Sequence, residues 1–134
     1  MLFLCGALLL TSCLSSDNKI NPLTGTWTLK GVSCQNCIDK AQITSATFSC
    51  NDAGCNTYTF NEDGTFKLDE TSSGTTKTTF GNYSISGLVV NIHLNEEISS
   101  VRRYSYSLNG TMLYLKEIVE DGTGICGSTT VLAK

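Results

Sequence analysis

From Thr26 onward the sequence alternates apolar and polar residues in runs of five to seven, with turn-forming residues between them at close spacing. A period of two sends successive side chains to opposite faces, so each run reads as a strand with one buried face. Trp27 and Leu29 share a face in the first run, Tyr58 and Phe60 in the second, Phe66 and Leu68 in the third. Tyr83 and Ile85 follow, then Leu88, Val90, Ile92 and Leu94, then Tyr104, Tyr106 and Leu108. Residues 111–116 and 128–134 complete a set of eight. No stretch supports a long helix. Eight antiparallel strands in up-and-down order can close into a barrel, which removes the edges an open sheet would expose. The expected fold is therefore all-β, an eight-stranded antiparallel up-and-down barrel. The net charge of −3 and the absence of a basic block leave nothing that would steer the domain to nucleic acid.

The connections divide into two kinds. Asn61 to Gly64, Ser86-Gly87 and Asn109-Gly110 are tight turns at one barrel end, and Asn-Gly is the strongest hairpin signal because both residues accept positive φ. The other end receives the longer segments: Cys34 to Asn56, Glu70 to Lys77, Asn95 to Ser100 and Val119 to Gly127. That end is the expected mouth, where small barrels take ligands. Phe66, Leu68, Tyr104 and Tyr106 are the lining candidates. A roomy interior favours a small apolar or amphipathic ligand, while a filled one favours a protein-interaction or inhibitor module working through the rim. Around the mouth Asp39, Asp52, Asp69, Glu70, Glu96, Glu97, Glu117, Glu120 and Asp121 outnumber Lys40, Lys77, Arg102, Arg103 and Lys116, which points to neutral or cationic ligands.

Cysteines concentrate at this end. Cys34, Cys37, Cys50 and Cys55 lie in or beside the first long connection, and Cys126 just precedes the last run, which should close against the first. Structural disulfides are the favoured reading, with Cys126 bonded to Cys34 or Cys37 and a second bond pinning the loop through Cys50 or Cys55. Zinc held by the four loop cysteines and a thioredoxin-type use of Cys34-Gln35-Asn36-Cys37 are the competing readings. The latter lacks a βαβ context, and the only proline, Pro22, lies far from it.

Catalysis has little support. His93, the only histidine, alternates with apolar neighbours and reads as a surface residue. No serine sits in a nucleophile-elbow context. Paired acids such as Asp69-Glu70 and Glu96-Glu97 lie at strand ends, where acids are usually solvated. No enzyme activity, cofactor or metal is expected, and the domain is expected to be monomeric.

Two resemblances add to this. Gly25-Thr26-Trp27 resembles the Gly-x-Trp that opens the first strand of lipocalins and their calycin relatives. Residues 58–70, 81–94 and 104–116 are similar to the small lipocalin-like domains of bacterial lipoproteins. In lipocalins an Arg near the last strand packs over this Trp; here only Lys134 could stand in. Upstream, Met1 to Leu10 is almost wholly apolar yet too short to span a bilayer, as in a secretory signal. Leu10-Thr11-Ser12-Cys13 resembles the lipobox of bacterial lipoproteins, which implies cleavage before Cys13 and acylation of that residue. Residues 1–12 are thus expected as signal peptide, 13–24 as a polar tether and 25–134 as the barrel domain. The resemblance places the protein in the bacterial envelope, at the outer membrane because Leu14 rather than Asp follows the cysteine.

Overall fold

The computed structural model describes residues 21–35, 44–51, 53–96, 101–118 and 127–134. Among these lie nine strands: β1 (Gly25–Gln35), β2 (Thr44–Thr47), β3 (Gly54–Phe60), β4 (Thr65–Ser72), β5 (Thr75–Ser86), β6 (Val89–Leu94), β7 (Val101–Asn109), β8 (Met112–Glu117) and β9 (Gly127–Ala133). From β3 to β9 each strand pairs with the next, and β1 joins β3 on one side and β9 on the other. Eight antiparallel strands thus form a closed barrel, as the alternation predicts.

The ninth strand is short and lies within the first long connection. β2 pairs with Gly31 to Cys34 of β1, above the point where the β1–β3 pairing ends at Thr28 and Thr57. A bulge at Lys30 makes this division possible: Leu29 pairs with Leu132 and Gly31 with Val131, leaving Lys30 unmatched. The extra residue also shifts the alternation, so that Trp27 and Leu29 face inward below the bulge and Val32 above it.

Two expectations about connections need correction. Glu70 to Lys77 is not a long loop: β4 and β5 are joined by Ser73 and Gly74 alone, with φ of 50° and 77°. Positive φ at both central residues matches the twist of the flanking strands, and threonines on both arms extend the ladder, with the Thr71 and Thr76 hydroxyls 2.8 Å apart. Leu88 belongs to the turn after Gly87 and is 70% exposed, so it does not share the inner face of Val90, Ile92 and Leu94.

The folded body also begins before Gly25. Asn21 to Thr24 form a turn in which the Thr24 amide donates to the Asn21 carbonyl (3.2 Å) and the Leu23 amide to Asn21 Oδ1 (3.0 Å). This turn drives Leu23, fully buried, into the lower end of the barrel. Trp27 Nε1 donates to the Leu23 carbonyl at 2.7 Å, and Lys134 Nζ donates to the Thr24 carbonyl at 2.7 Å while lying 4.5 Å from the centre of the Trp27 ring. Lys134 therefore takes the position that the resemblance assigns to an arginine. Gly25 is required beneath it: its φ is +125°, and a Cβ there would come within 2.8 Å of Lys134 Cε. On the far side, Asn21 Nδ2 donates to the Tyr83 hydroxyl, which donates to the Asn61 carbonyl at 2.7 Å. The base is closed by packing and by hydrogen bonds that cross it.

Above this plug the core continues with Phe60, Phe66, Val90, Ile92, Leu113, Leu115 and Leu132. Leu23 supplies packing without any strand of its own, so Leu23→Ala should lower unfolding free energy by about 2–5 kcal/mol, the usual cost of truncating a buried leucine. Lys134→Ala should cost only about 0.5–1 kcal/mol, as an exposed cation–π contact, and Lys134→Arg should restore it. Urea denaturation of the three variants checks both expectations.

Candidate functional site

The inner wall changes character along the barrel axis. An aromatic ladder rises from the base: Tyr83 meets Phe60 edge-on with centroids 5.0 Å apart, Phe60 meets Phe66 at 5.0 Å, and Phe66 meets Tyr58 at 6.2 Å. Its lower rings are buried, whereas Tyr58 reaches the level at which the barrel opens. There a slot of about 60 Å³ is lined by the buried Phe66, Ile92, Leu94 and Leu115 and by the less buried Tyr58, Leu68, Arg102, Tyr104 and Thr130. That space holds about two water molecules. It is far below the roughly 300–1,000 Å³ of a site that encloses a drug-sized ligand.

Three of the four lining candidates, Phe66, Leu68 and Tyr104, meet in the slot. Tyr106 does not. Two residues further along β7, it lies lower in the barrel, where its hydroxyl donates to the Gly87 carbonyl at 3.3 Å. Tyr58, Arg102 and Thr130 also line the slot. The first two were accessible from the alternation, since Tyr58 shares a face with Phe60, and Arg102 precedes Tyr104 by two residues.

Burial holds the Tyr58 phenol well above its ordinary 10.0, at about 12, with the neighbouring Tyr104 and Glu70 adding to the rise and Arg102 opposing it. The hydroxyl therefore stays a hydrogen-bond donor throughout the physiological range. Nor does the described part of the mouth carry a bare acidic surface. Arg102 lines the slot, Lys77 Nζ sits 3.0 Å from Glu96 Oε2, Lys67 Nζ sits 2.7 Å from Asp69 Oδ2, and Glu117 accepts from the Ser128 hydroxyl at 2.8 Å. The described residues hold Asp69, Glu70, Glu96 and Glu117 against Lys77, Arg102, Arg103 and Lys116, so the expected acid excess rests on Asp39, Asp52, Glu97, Glu120 and Asp121, which lie outside the described residues.

Cys50 and Cys55 form a disulfide with each other, their Cα atoms 4.4 Å apart. It clips the return from β2 into β3, assisted by Asn51 Oδ1, which accepts from the Ala53 and Gly54 amides at 2.9 and 3.1 Å. This bond removes two of the four thiolates a zinc site would have used. Cys34 is in no disulfide, which leaves Cys37 as the expected partner of Cys126. Cys13, Cys37 and Cys126 lie outside the described residues. His93 is exposed, on the outer wall opposite Asn82 and Val101. Among the described residues no group of three or more His, Cys, Asp or Glu side chains is placed to hold a metal ion.

A closed eight-stranded barrel with Gly-x-Trp at its base, a cation over that Trp and one open end defines a lipocalin-like domain. The sequence pattern of the lipocalin-like domain family matches residues 23–123, and the chain belongs to that family. Its fold is similar to the crystal structure of a lipocalin-like protein from Bacteroides uniformis, with a TM-score of 0.58 at 20% identity, over 84% of this chain and 97% of that one. Comparison with curated proteins gives no match.

The shifted tyrosine makes a stability prediction. Because the folded state keeps the Tyr58 proton to about pH 12 while the unfolded chain releases it near 10, its contribution is complete below pH 10 and is lost between pH 10 and 12. The loss is of order 2–3 kcal/mol. Denaturation at pH 9 and pH 11.5 should show this alkaline decline reduced in Tyr58→Phe. It should not vanish, because burial raises the Tyr83 phenol as well.

Proposed function

We propose that this chain is a lipid-anchored protein of the bacterial envelope, held at the outer membrane by an acylated Cys13, whose barrel binds a small amphipathic molecule at its mouth and catalyses no reaction. The observation that carries the binding reading is the slot itself: the apolar side chains of Phe66, Ile92, Leu94 and Leu115 beside polar groups supplied by Tyr58, Tyr104 and Arg102. Apolar lining with a few convergent polar groups is what small-molecule sites present. The 60 Å³ volume sets the size. Only the end of a ligand enters, a short alkyl or ring substituent, and its polar part stays among the hydroxyls and the guanidinium. Long acyl chains do not fit. The same small volume favours, as a second reading, a rim that engages a protein partner.

The test uses the unacylated chain from residue 13 to Lys134 with Cys13→Ser, titrated with short-chain amines, alcohols and carboxylates. The methyl NMR signals of Leu68, Ile92, Leu94 and Leu115 should move on binding while those of Leu88 and Leu108 stay fixed. Leu68→Trp, which fills the slot, should weaken binding at least tenfold, or about 1.4 kcal/mol. Methyl signals that no amphiphile moves at millimolar concentration would remove the small-ligand reading and leave the protein-partner one. Mass spectrometry of the native protein tests the anchor separately: the N-terminal residue should be Cys13 carrying acyl chains.

A further inference from the structure

Two hairpin tips at the barrel base carry no charge of their own, and the nearest charge to them is the exposed Lys134 ammonium, whose residue's amide donates to the Thr111 carbonyl at 3.0 Å. The β5–β6 tip, Ser84 to Val89, and the β7–β8 hairpin from Tyr104 to Leu115 contain no Asp, Glu, Lys or Arg, whereas the β3–β4 tip carries Glu62 and Asp63. Hairpin tips in water usually present turn-forming polar residues. Here Leu88 stands 70% exposed at the first tip and Leu108 40% exposed beside the second. The fold holds the two tips together: the Tyr106 amide donates to the Leu88 carbonyl at 2.9 Å and its hydroxyl to the Gly87 carbonyl at 3.3 Å.

The chain enters the barrel on the side of these same tips. Asn21 and Pro22 form one wall of a groove of about 450 Å³ whose other wall is made by Ile85, Gly87 and Tyr106. Only Leu14 to Ile20 separate Asn21 from the proposed acylation site, Cys13. At no more than about 3.5 Å per residue, this segment keeps the base within roughly 30 Å of the anchoring point.

Resting on the anchor reading above, we propose that the base docks on the lipid surface through these two tips, with Leu88 and Leu108 in the interfacial layer and the mouth turned to water. Two leucines are too few to hold a soluble domain on a bilayer. A short tether changes that, because it raises the local concentration of the domain at the surface to the millimolar range, where a weak contact is occupied. Charge sets the tilt. Glu62 and Asp63 are repelled by the negative potential of anionic lipid, so their tip lifts while the uncharged tips descend. Tyr114, opposite Ser107 on β8 and partly exposed, adds a ring with one wet and one apolar end at the same level.

The experiment places single tryptophans in the acylated full-length mature protein, reconstituted in phosphatidylethanolamine–phosphatidylglycerol vesicles with brominated acyl chains. Trp27, the only native tryptophan, is buried and supplies a constant background measured in the unmodified protein. Leu88→Trp and Leu108→Trp should be quenched at least twofold relative to unbrominated vesicles, and Thr75→Trp at the opposite barrel end should not be quenched. Equal quenching at all three positions, or none at Leu88 and Leu108, overturns the docking. A second form replaces residues 1–13 by a hexahistidine tag held on nickel-chelating lipid in the same vesicles. Quenching there, together with a native N-terminus that mass spectrometry finds unacylated, would refute the anchor and keep the docking. Acylated protein without quenching would refute the docking and keep the anchor.

Discussion

The indole of Trp27 is fixed from three sides: its N–H is taken by the Leu23 carbonyl, its outer face by the Lys134 ammonium, and its body by the buried side chains of the lower barrel. Each contact comes from a different part of the sequence. Leu23 belongs to the entering turn, Lys134 follows β9, and Phe60 at the end of β3 pairs with Gly25 beside the indole. Closing a barrel requires the first and last strands to meet, and here their meeting point is also where the largest core side chain sits. A fault at Trp27 would therefore loosen the β1–β9 and β1–β3 pairings together.

Closure at one end determines what the other can do. With Leu23 and the Asn21–Tyr83–Asn61 hydrogen bonds across the base, the interior is reached from above, past Tyr58 and Tyr104. The lower interior around Trp27 is filled by Leu23, Phe60, Leu113 and Leu132, and the larger groove of about 450 Å³ lies to one side of it, between the entering turn and Tyr83, Ile85 and Tyr106. The upper interior mixes hydroxyls, a guanidinium and leucine side chains around a small slot. The proposed binding site is accordingly the mouth, and the proposed docking surface is the base. The gradient from apolar base to polar mouth gives the barrel a direction.

The barrel was legible because its strands alternate cleanly and its turns are marked by Asn109-Gly110, Ser86-Gly87 and the Asn61 to Gly64 stretch. The lipocalin resemblance called for an arginine over Trp27 and left Lys134 as the one residue able to replace it, which is where the structure places it. What alternation alone could not show was where the phase slips. The Lys30 bulge, which lets β1 serve β3 below and β2 above, leaves no compositional mark. Ser73-Gly74 was hidden inside a polar stretch rich in Ser and Thr, which reads equally as a loop or as two threonine-bearing strand arms. Leu88 was misplaced because its apolar character continues the pattern of β6, while the positive φ of Gly87 puts it in the turn. The slot was only half legible: the inward phase of Phe66, Leu68 and Tyr104 was correct, but how far each lies along the barrel depends on strand stagger, which sent Tyr106 toward the base. Burial of Leu23 was unreadable from a segment that is otherwise polar and holds the proline.

The central claim is that the barrel is packed shut around Trp27 at its base, with the slot opening at its mouth. Residue-resolved hydrogen exchange on the folded chain tests it directly. The Trp27 indole N–H and the amides of Trp27, Thr28, Phe60, Leu113 and Leu132 should exchange slowest, with protection falling along β3, β4, β7 and β8 toward the mouth. An indole N–H that exchanges as fast as the amides of the upper rim, or protection greater at the mouth than at the base, would contradict the account.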